Sequence, residues 1–379
     1  MRALGVNTWV WTSPLTDAAL ERIAPRVAEW GFDVIELPVE NAGDWDPRRA
    51  RTLLDGLGLT ASVVLVMGPG RELVATDAAT RSATQDYLRR VVDAAAAVGS
   101  PVAAGPAYSS VGRTWRMSPR ERAGIGAELT EALAPVVGHC SAAGVRLAVE
   151  PLNRYETSVL NTVDQGLEML ADLPAEHCGL ALDVYHMNIE ERDVAAAVRR
   201  AGMGTAPEAA SRGGGRATGQ EDTAPEAALR GGGRATGQED TAPEAASRGG
   251  GRATGQEDTA PEAASRGGGR ATGQEDTAPE AALRGGGRAT GGRVAHVQVC
   301  ANDRGAPGAD HLDWSAILDA LDDVGYGGPL VIESFTADNA SIATAASVWR
   351  PLAATQDAIA VDGLAFLRAL SRREEPPCR

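Results

Sequence analysis

Residues 125–150 read IGAELTEALAPVVGHCSAAGVRLAVE, and these 26 positions carry a helix, a stop and a strand in succession. Ile125, Leu129, Leu133 and Val136 recur at three- and four-residue spacing, which places them on one helical face. Gly144 suits the end of such a helix, because without a Cβ it adopts the left-handed cap conformation at little cost. The run Arg146–Val149 then predicts a strand, and Glu150 closes it with a charge that apolar burial does not explain.

In both directions the same alternation repeats. Strands are predicted at Ala3–Thr8, Val34–Leu37, Ala61–Val66 and Val102–Ala104 before this unit, and at Leu180–Leu182, Val294–Val299 and Leu330–Ile332 after it. Helical faces lie between them. Leu20, Ile23, Ala24, Val27 and Trp30 form one; Ile317, Leu318 and Leu321 form another, opened by Asp313 and closed by Gly325. Eight strand and helix units predict a closed (β/α)8 barrel, with an open doubly wound sheet as the lesser alternative.

The chain's 379 residues exceed what such a barrel needs, and the excess is local: residues 203–292 hold 22 of the 45 glycines. From Ala206 the unit APEAA(S/L)RGGGRATGQEDT recurs every 18 residues, restarting at Ala224, Ala242, Ala260 and Ala278. Stacked copies would bury too few large apolar side chains to offset chain entropy, so 203–292 is expected to be a disordered low-complexity insertion. Residues 1–202 and 293–379 then form one barrel. The sixth helix, from about Ile189 to Arg200, is expected to stop at Gly202, which puts the insertion between it and the seventh strand. Loops of that kind lie on the face opposite the one where active sites form.

Thirty-six basic against 51 acidic residues give a net charge of −15, and no run of Lys or Arg tracks phosphates, which argues against nucleic acid and for a small neutral ligand. The N-terminus MRALGVNTWVWTSP lacks the features of a signal peptide, and no stretch of 18 residues is free of charge and apolar throughout, so a cytoplasmic protein without a membrane span is expected. Cys140, Cys178, Cys300 and Cys378 show no paired spacing and read as free thiols. A G-x-G-x-x-G pattern occurs only in the repeats and G-x-S-x-G not at all, so neither a dinucleotide site nor a serine hydrolase is supported.

Four polar residues stand near successive strand ends: Glu150, Asp183, Gln298 and Glu333. Their separations are 33, 115 and 35, and without the 90-residue insertion the middle value becomes 25, about one β/α unit each. Three carboxylates converging above a barrel axis repel one another unless a cation sits among them. The all-oxygen set Glu150, Asp183, Gln298 and Glu333 suits Mn2+ first, with Mg2+ or Co2+ as alternatives.

The stretches EPLNRYE at 150–156, LDVYHMNIEE at 182–191, HVQVCANDRGAPG at 296–308 and HLDWSAILDALDDVGYGGPLVIESF at 311–335 resemble the xylose isomerase-like TIM barrels, the sugar phosphate isomerase/epimerase superfamily, and within it the D-tagatose 3-epimerase group of ketose 3-epimerases. That resemblance implies a metal held by Glu, Asp, His and Glu, falling on Glu150, Asp183, position 298 and Glu333, with substrate contacts at Glu156, His186 and Arg304. This chain departs at one place, reading His296-Val-Gln298 where the group reads His-x-His. His296 lies two residues back on the same strand face and is expected deeper in the barrel.

The implied reaction is C3 epimerisation of a free ketose through a metal-bound cis-enediolate, with Glu150 and Glu333 as the two acid/base groups. The Gln keeps a hydroxypyruvate-type or aldose/ketose isomerase as the alternative, with a keto-inositol dehydratase third. A non-catalytic binding barrel using the repeat as its interaction element is the alternative of another class. His186 is expected at the rim, and Arg304 either steadies an oxyanion or pairs with Asp303 or Asp310. Glu156 either holds a terminal hydroxyl or orients Arg154. Weaker candidates are Trp11 with Trp9 as an aromatic wall, Glu36 at the end of the second strand, and Tyr108 with Trp115 as part of a lid. A homo-oligomer is left open.

Overall fold

A computed structural model describes residues 2–204 and 292–373. All eight predicted strands are present and close on themselves in sequence order, every pair parallel. The elements are β1 (Leu4–Asn7), α1 (Asp17–Trp30), β2 (Val34–Val39), α2 (Pro47–Leu57), β3 (Thr60–Leu65), α3 (Ala78–Val98), β4 (Val102–Gly105), α4 (Pro119–Ala143), β5 (Arg146–Val149) and α5 (Val163–Met169). They continue with β6 (Cys178–Asp183), α6 (Val184–Glu190), α7 (Val194–Met203), β7 (Val294–Val299), α8 (Trp314–Asp323), β8 (Leu330–Ile332), α9 (Ala340–Ala345) and α10 (Gln356–Arg373). The open-sheet alternative is excluded by the pairing of β1 with β8.

Local chemistry sets the element ends. Ser118 and Glu121 form a capping box at the start of α4, and Gly144 ends it at φ 69°. The sixth unit differs from expectation: two helices follow β6 instead of one, with Asp183 capping the first and Asp193 the second. The second helix runs through Gly202 to Met203, with Gly204 as its cap. Gly202 serves packing there, since a Cβ at that position would come within 2.1 Å of Val324 Cβ. β2 extends to Val39, so Glu36 sits inside that strand and not at its end.

Two packing layers result from the alternation of side chains along each strand. Ile35, Leu37, Val63, Leu147, Leu180, Leu182, Val297 and Ile332 belong to the large cluster shared with the helices. Val102, Ala104, Ala148 and Ala181 form a separate cluster of small residues on β4 to β6, with Ala295 against it. Strand register sets Asn7 beside Glu36 and Glu36 beside Ser62, at one level. Cys140, Cys178 and Cys300 are buried free thiols. Among the described residues no helix is long and apolar enough to cross a membrane.

Residues 205–291, and with them the expectation of a disordered repeat, lie outside the described residues. Their flanks meet directly: the Arg293 N–H donates to the Ala201 carbonyl at 2.9 Å. A protein in which Gly204 is joined to Gly292 through a short linker should therefore keep its circular dichroism spectrum and melt within a few degrees of the full chain. A cooperative melt lost on deletion would show that the barrel depends on the repeat.

Candidate active site

The four strand-end residues come together at the C-terminal face. Glu150 follows β5 directly and extends the ladder, its N–H donating to the Gly105 carbonyl at 3.0 Å. Asp183 ends β6, and its Oδ1 accepts from the Tyr185 N–H at 2.8 Å. Gln298 on β7 is the register partner of Asp183. Glu333 follows β8, with its N–H on the Val299 carbonyl at 3.1 Å. None of the four is more than 4% exposed.

Arg304 enters this cluster from the loop after β7. Its Nη1 donates to Asp183 Oδ2, and to Glu333 Oε2 at 3.2 Å. The guanidinium lies 4.0 Å from the ring centre of Tyr185 and 4.8 Å from that of Phe335, so two aromatic faces hold its plane. Surface pairing of Arg304 does not occur, because Asp303 pairs with Arg350 at 2.7 Å instead. One cation for these carboxylates is thus supplied by the chain itself, where the sequence pointed to a metal alone. It does not suffice. Burial, reinforced by Asp183, pushes the Glu150 carboxyl well above its ordinary value. Burial also raises Glu333, with Arg304 opposing and Asp183 adding to the rise.

His186 lies inside α6 and is buried, not on the rim as expected. Its Nδ1 faces two donors of Asn153, the backbone N–H at 3.1 Å and the side-chain amide at 2.9 Å. Both ring nitrogens thus face donors, Asn153 at Nδ1 and the Arg304 guanidinium at Nε2. That nitrogen is 3.5 Å from Glu150 Oε1 and 3.6 Å from Asp183 Oδ2, with Arg304 Nη2 crowding it at 2.9 Å. Burial, and then the charge of Arg304, bring the His186 pKa down to about 4. Glu150, Asp183 and His186 offer ligand atoms within 4.8 Å of one another, a set that could hold a metal.

Gln298 is fixed by two carboxylates. Its Nε2 donates to Glu36 Oε2 at 2.9 Å and to Glu333 Oε1 at 2.8 Å. Its Oε1 is buried and has no hydrogen-bond partner among the described residues. Glu36 in turn accepts from Asn7 Nδ2 at 2.9 Å and Ser62 Oγ at 3.0 Å, and His296 Nε2 lies 2.7 Å from its Oε1. Burial alone would raise Glu36, but the contact with His296 and the hydrogen bonds from Gln298 and Asn7 outweigh it and hold the carboxyl below its ordinary value. An unpaired buried amide oxygen beside carboxylates short of positive charge is a set that a hard divalent cation fits.

The other candidates divide. Glu156 accepts from Asn153 Nδ2 at 2.8 Å, while Arg154 pairs with Glu190 at 2.9 Å, so Glu156 does not orient Arg154. Tyr108 is fully buried and forms no lid; its hydroxyl donates to the Glu150 carbonyl at 2.9 Å and so steadies the backbone beneath that carboxylate. Trp11 turns away from the cluster, stacking on Trp30 at 5.9 Å and donating to Asp357 at 2.8 Å. Trp9 packs edge-on at 6.3 Å against Phe335, the ring over which Arg304 lies. Asn153, Tyr185 and Phe335 escaped the sequence reading. Each lies within three residues of a residue that was singled out, which is the only signal they carry. A surface cleft lined by Asn41, Asp44, Trp45, Arg90 and Asp93 lies outside this cluster.

A closed parallel barrel with carboxylates converging at its C-terminal face fits one family of barrels. The chain belongs to it: the model of the xylose isomerase-like TIM barrel family matches residues 24–216. The ketose 3-epimerase of Arthrobacter globiformis is 34% identical over 191 residues, a match covering 50% of this chain and 65% of that protein. The probable ketose 3-epimerase of Synechocystis sp. is 25% identical over 364 residues, covering 96% of this chain and 95% of that one. A solved L-ribulose 3-epimerase superposes with a TM-score of 0.69 at 22% identity, covering 99% of this chain and all of that one, a likeness of fold.

With its pKa at about 4, the His186 ring should stay neutral when the protein is titrated from pH 8 to pH 5.5. Side-chain 15N shifts of His186 read this directly. A midpoint near the free-imidazole value would mean that the ring is open to water.

Proposed function

We propose that the chain is a divalent-metal-dependent ketose 3-epimerase acting on free sugars. The observation that carries this reading is the pair Glu150 and Glu333, two buried carboxylates on strand ends three apart around the barrel. The relatives named above, ketose 3-epimerases, support the same choice.

Epimerisation next to a ketone needs a base on one face of the carbon and an acid on the other. Glu150 and Glu333 would fill these roles, one taking the C3 proton and its opposite number returning one from the far side. Arg304, held flat between Tyr185 and Phe335, would donate to the oxygen on which charge develops. His186, held at Nδ1 by Asn153 and faced at Nε2 by Arg304, would meet a substrate oxygen. The ligands would then be Glu150, Asp183, Gln298 and Glu333, and Glu156 at the margin would meet a substrate hydroxyl. A cation in that shell, Mn2+ first, supplies the Lewis acidity that makes the C–H beside the carbonyl removable.

Free sugar is favoured over sugar phosphate because the cations in reach are committed. Arg304 is held by Asp183 and Glu333, and Arg113 pairs with Glu72 at 2.7 Å.

The test is to incubate the Mn2+-loaded protein with ketohexoses and ketopentoses in deuterated water. Deuterium at C3 of an epimeric ketose is expected; an aldose product labelled at C1 or C2 would replace epimerisation by isomerisation. Glu150→Gln and Glu333→Gln should each lower turnover by about 10²-fold or more with the fold retained. Near-wild-type rates in either variant would rule out the two-base scheme.

A further inference from the structure

Gln298 as a ligand, the reading on which this inference rests, requires that something hold a flexible amide with its oxygen toward the cation. We propose that Glu36 is the positioning residue that does so, and that Glu36 and Glu333 together make a primary amide, not an imidazole, the fitting side chain at 298.

The geometry is one of matched donors and acceptors. Glu36 Oε2 and Glu333 Oε1 each take one N–H of Gln298, at 2.9 and 2.8 Å. Both amide protons are consumed by these two carboxyl oxygens. The oxygen must therefore point the other way, where it has no partner among the described residues. An imidazole bound to a cation through one nitrogen keeps a single N–H, enough for one of the two carboxylates.

Glu36 is itself held on every side. Asn7 shares Oε2 with Gln298, while Ser62 and His296 face Oε1 at 3.0 and 2.7 Å. Strand register presents Asn7 and Ser62 to it from β1 and β3. The contact from β2 to Gln298 on β7 joins strands that are not neighbours in the barrel. His296, two residues before Gln298 on the same face, thus braces the carboxylate that braces Gln298.

The experiment measures Mn2+ affinity by titration calorimetry on proteins whose fold is checked by circular dichroism. Glu36→Leu should weaken Mn2+ binding by about tenfold or more, and by less than about twofold when introduced beside Gln298→Ala. Glu36→Gln should stay within about threefold of wild type, because its oxygen can keep facing Gln298 while its NH2 turns to Ser62 and His296, which can both accept. Should Glu36→Leu fail to fold, exchanging the amide decides. Gln298→Glu adds a charged oxygen ligand yet should lose about tenfold in affinity by repulsion from Glu36 and Glu333, and adding Glu36→Gln should recover at least about threefold.

A folded Glu36→Leu protein with wild-type affinity, or with the same loss whether or not Gln298 is present, overturns the positioning role and leaves the proposed reaction standing. So does Gln298→Glu binding as tightly as wild type, or no recovery in the exchanged pair. A wild-type protein that binds no Mn2+ overturns both.

Discussion

An ionised carboxylate taken out of water without compensation costs several kcal/mol, and this barrel buries Glu36, Glu150, Asp183 and Glu333 in one connected cluster. The surrounding structure answers that constraint residue by residue. Glu36 is answered by four partners from three strands. Asp183 and Glu333 share Arg304, which accepts a left-handed backbone at φ 70° to reach them. A non-glycine residue in that conformation carries a penalty of order 1 kcal/mol, so the loop is shaped by where its side chain must go.

The answer is incomplete at Glu150, which has His186 and no direct cation. That deficit is one a bound cation would make up in the proposed reaction. The groups around it act on orientation. Asn153 holds His186 through Nδ1, and Tyr108 fixes the backbone beneath Glu150.

The barrel was legible because its signals are local. Helix faces, the stop at Gly144 and the run of buried strands are written in spacings of two to four residues. The strand-end polar residues were legible for the same reason, once the repeat was set aside and their separations fell to one unit each. The first helix of the sixth unit, 7 residues long, is too short to show a helical period, and Gly202, read as a stop, lets Val324 approach, a long-range packing fact. Trp11 and Tyr108 were assigned to the substrate because an aromatic near a strand end has no periodicity to say which way it turns; Trp11 turns to Asp357 and Tyr108 to carbonyl groups below. Arg304 as a counter-charge could not be read from its loop, since its partners lie 29 and 121 positions away. Glu36, taken for a strand-end residue, looked like a polar interruption of an apolar run until β7 was seen across from it.

A (β/α)8 barrel ordinarily fills its centre with stacked aliphatic side chains. Here Val102, Ala104, Ala148 and Ala181 make up a small cluster of their own, and charged and amide groups share the level of Asn7, Glu36 and Ser62. The apolar cohesion of the molecule therefore resides in its outer layer, between strands and helices, as a hoop holds a cask whose contents bear no load. Robustness and chemistry are written in different residues, on alternate positions of the same strands. Such a chain can drift in its Leu, Ile and Val without disturbing the site, and can change what it acts upon without first becoming unstable.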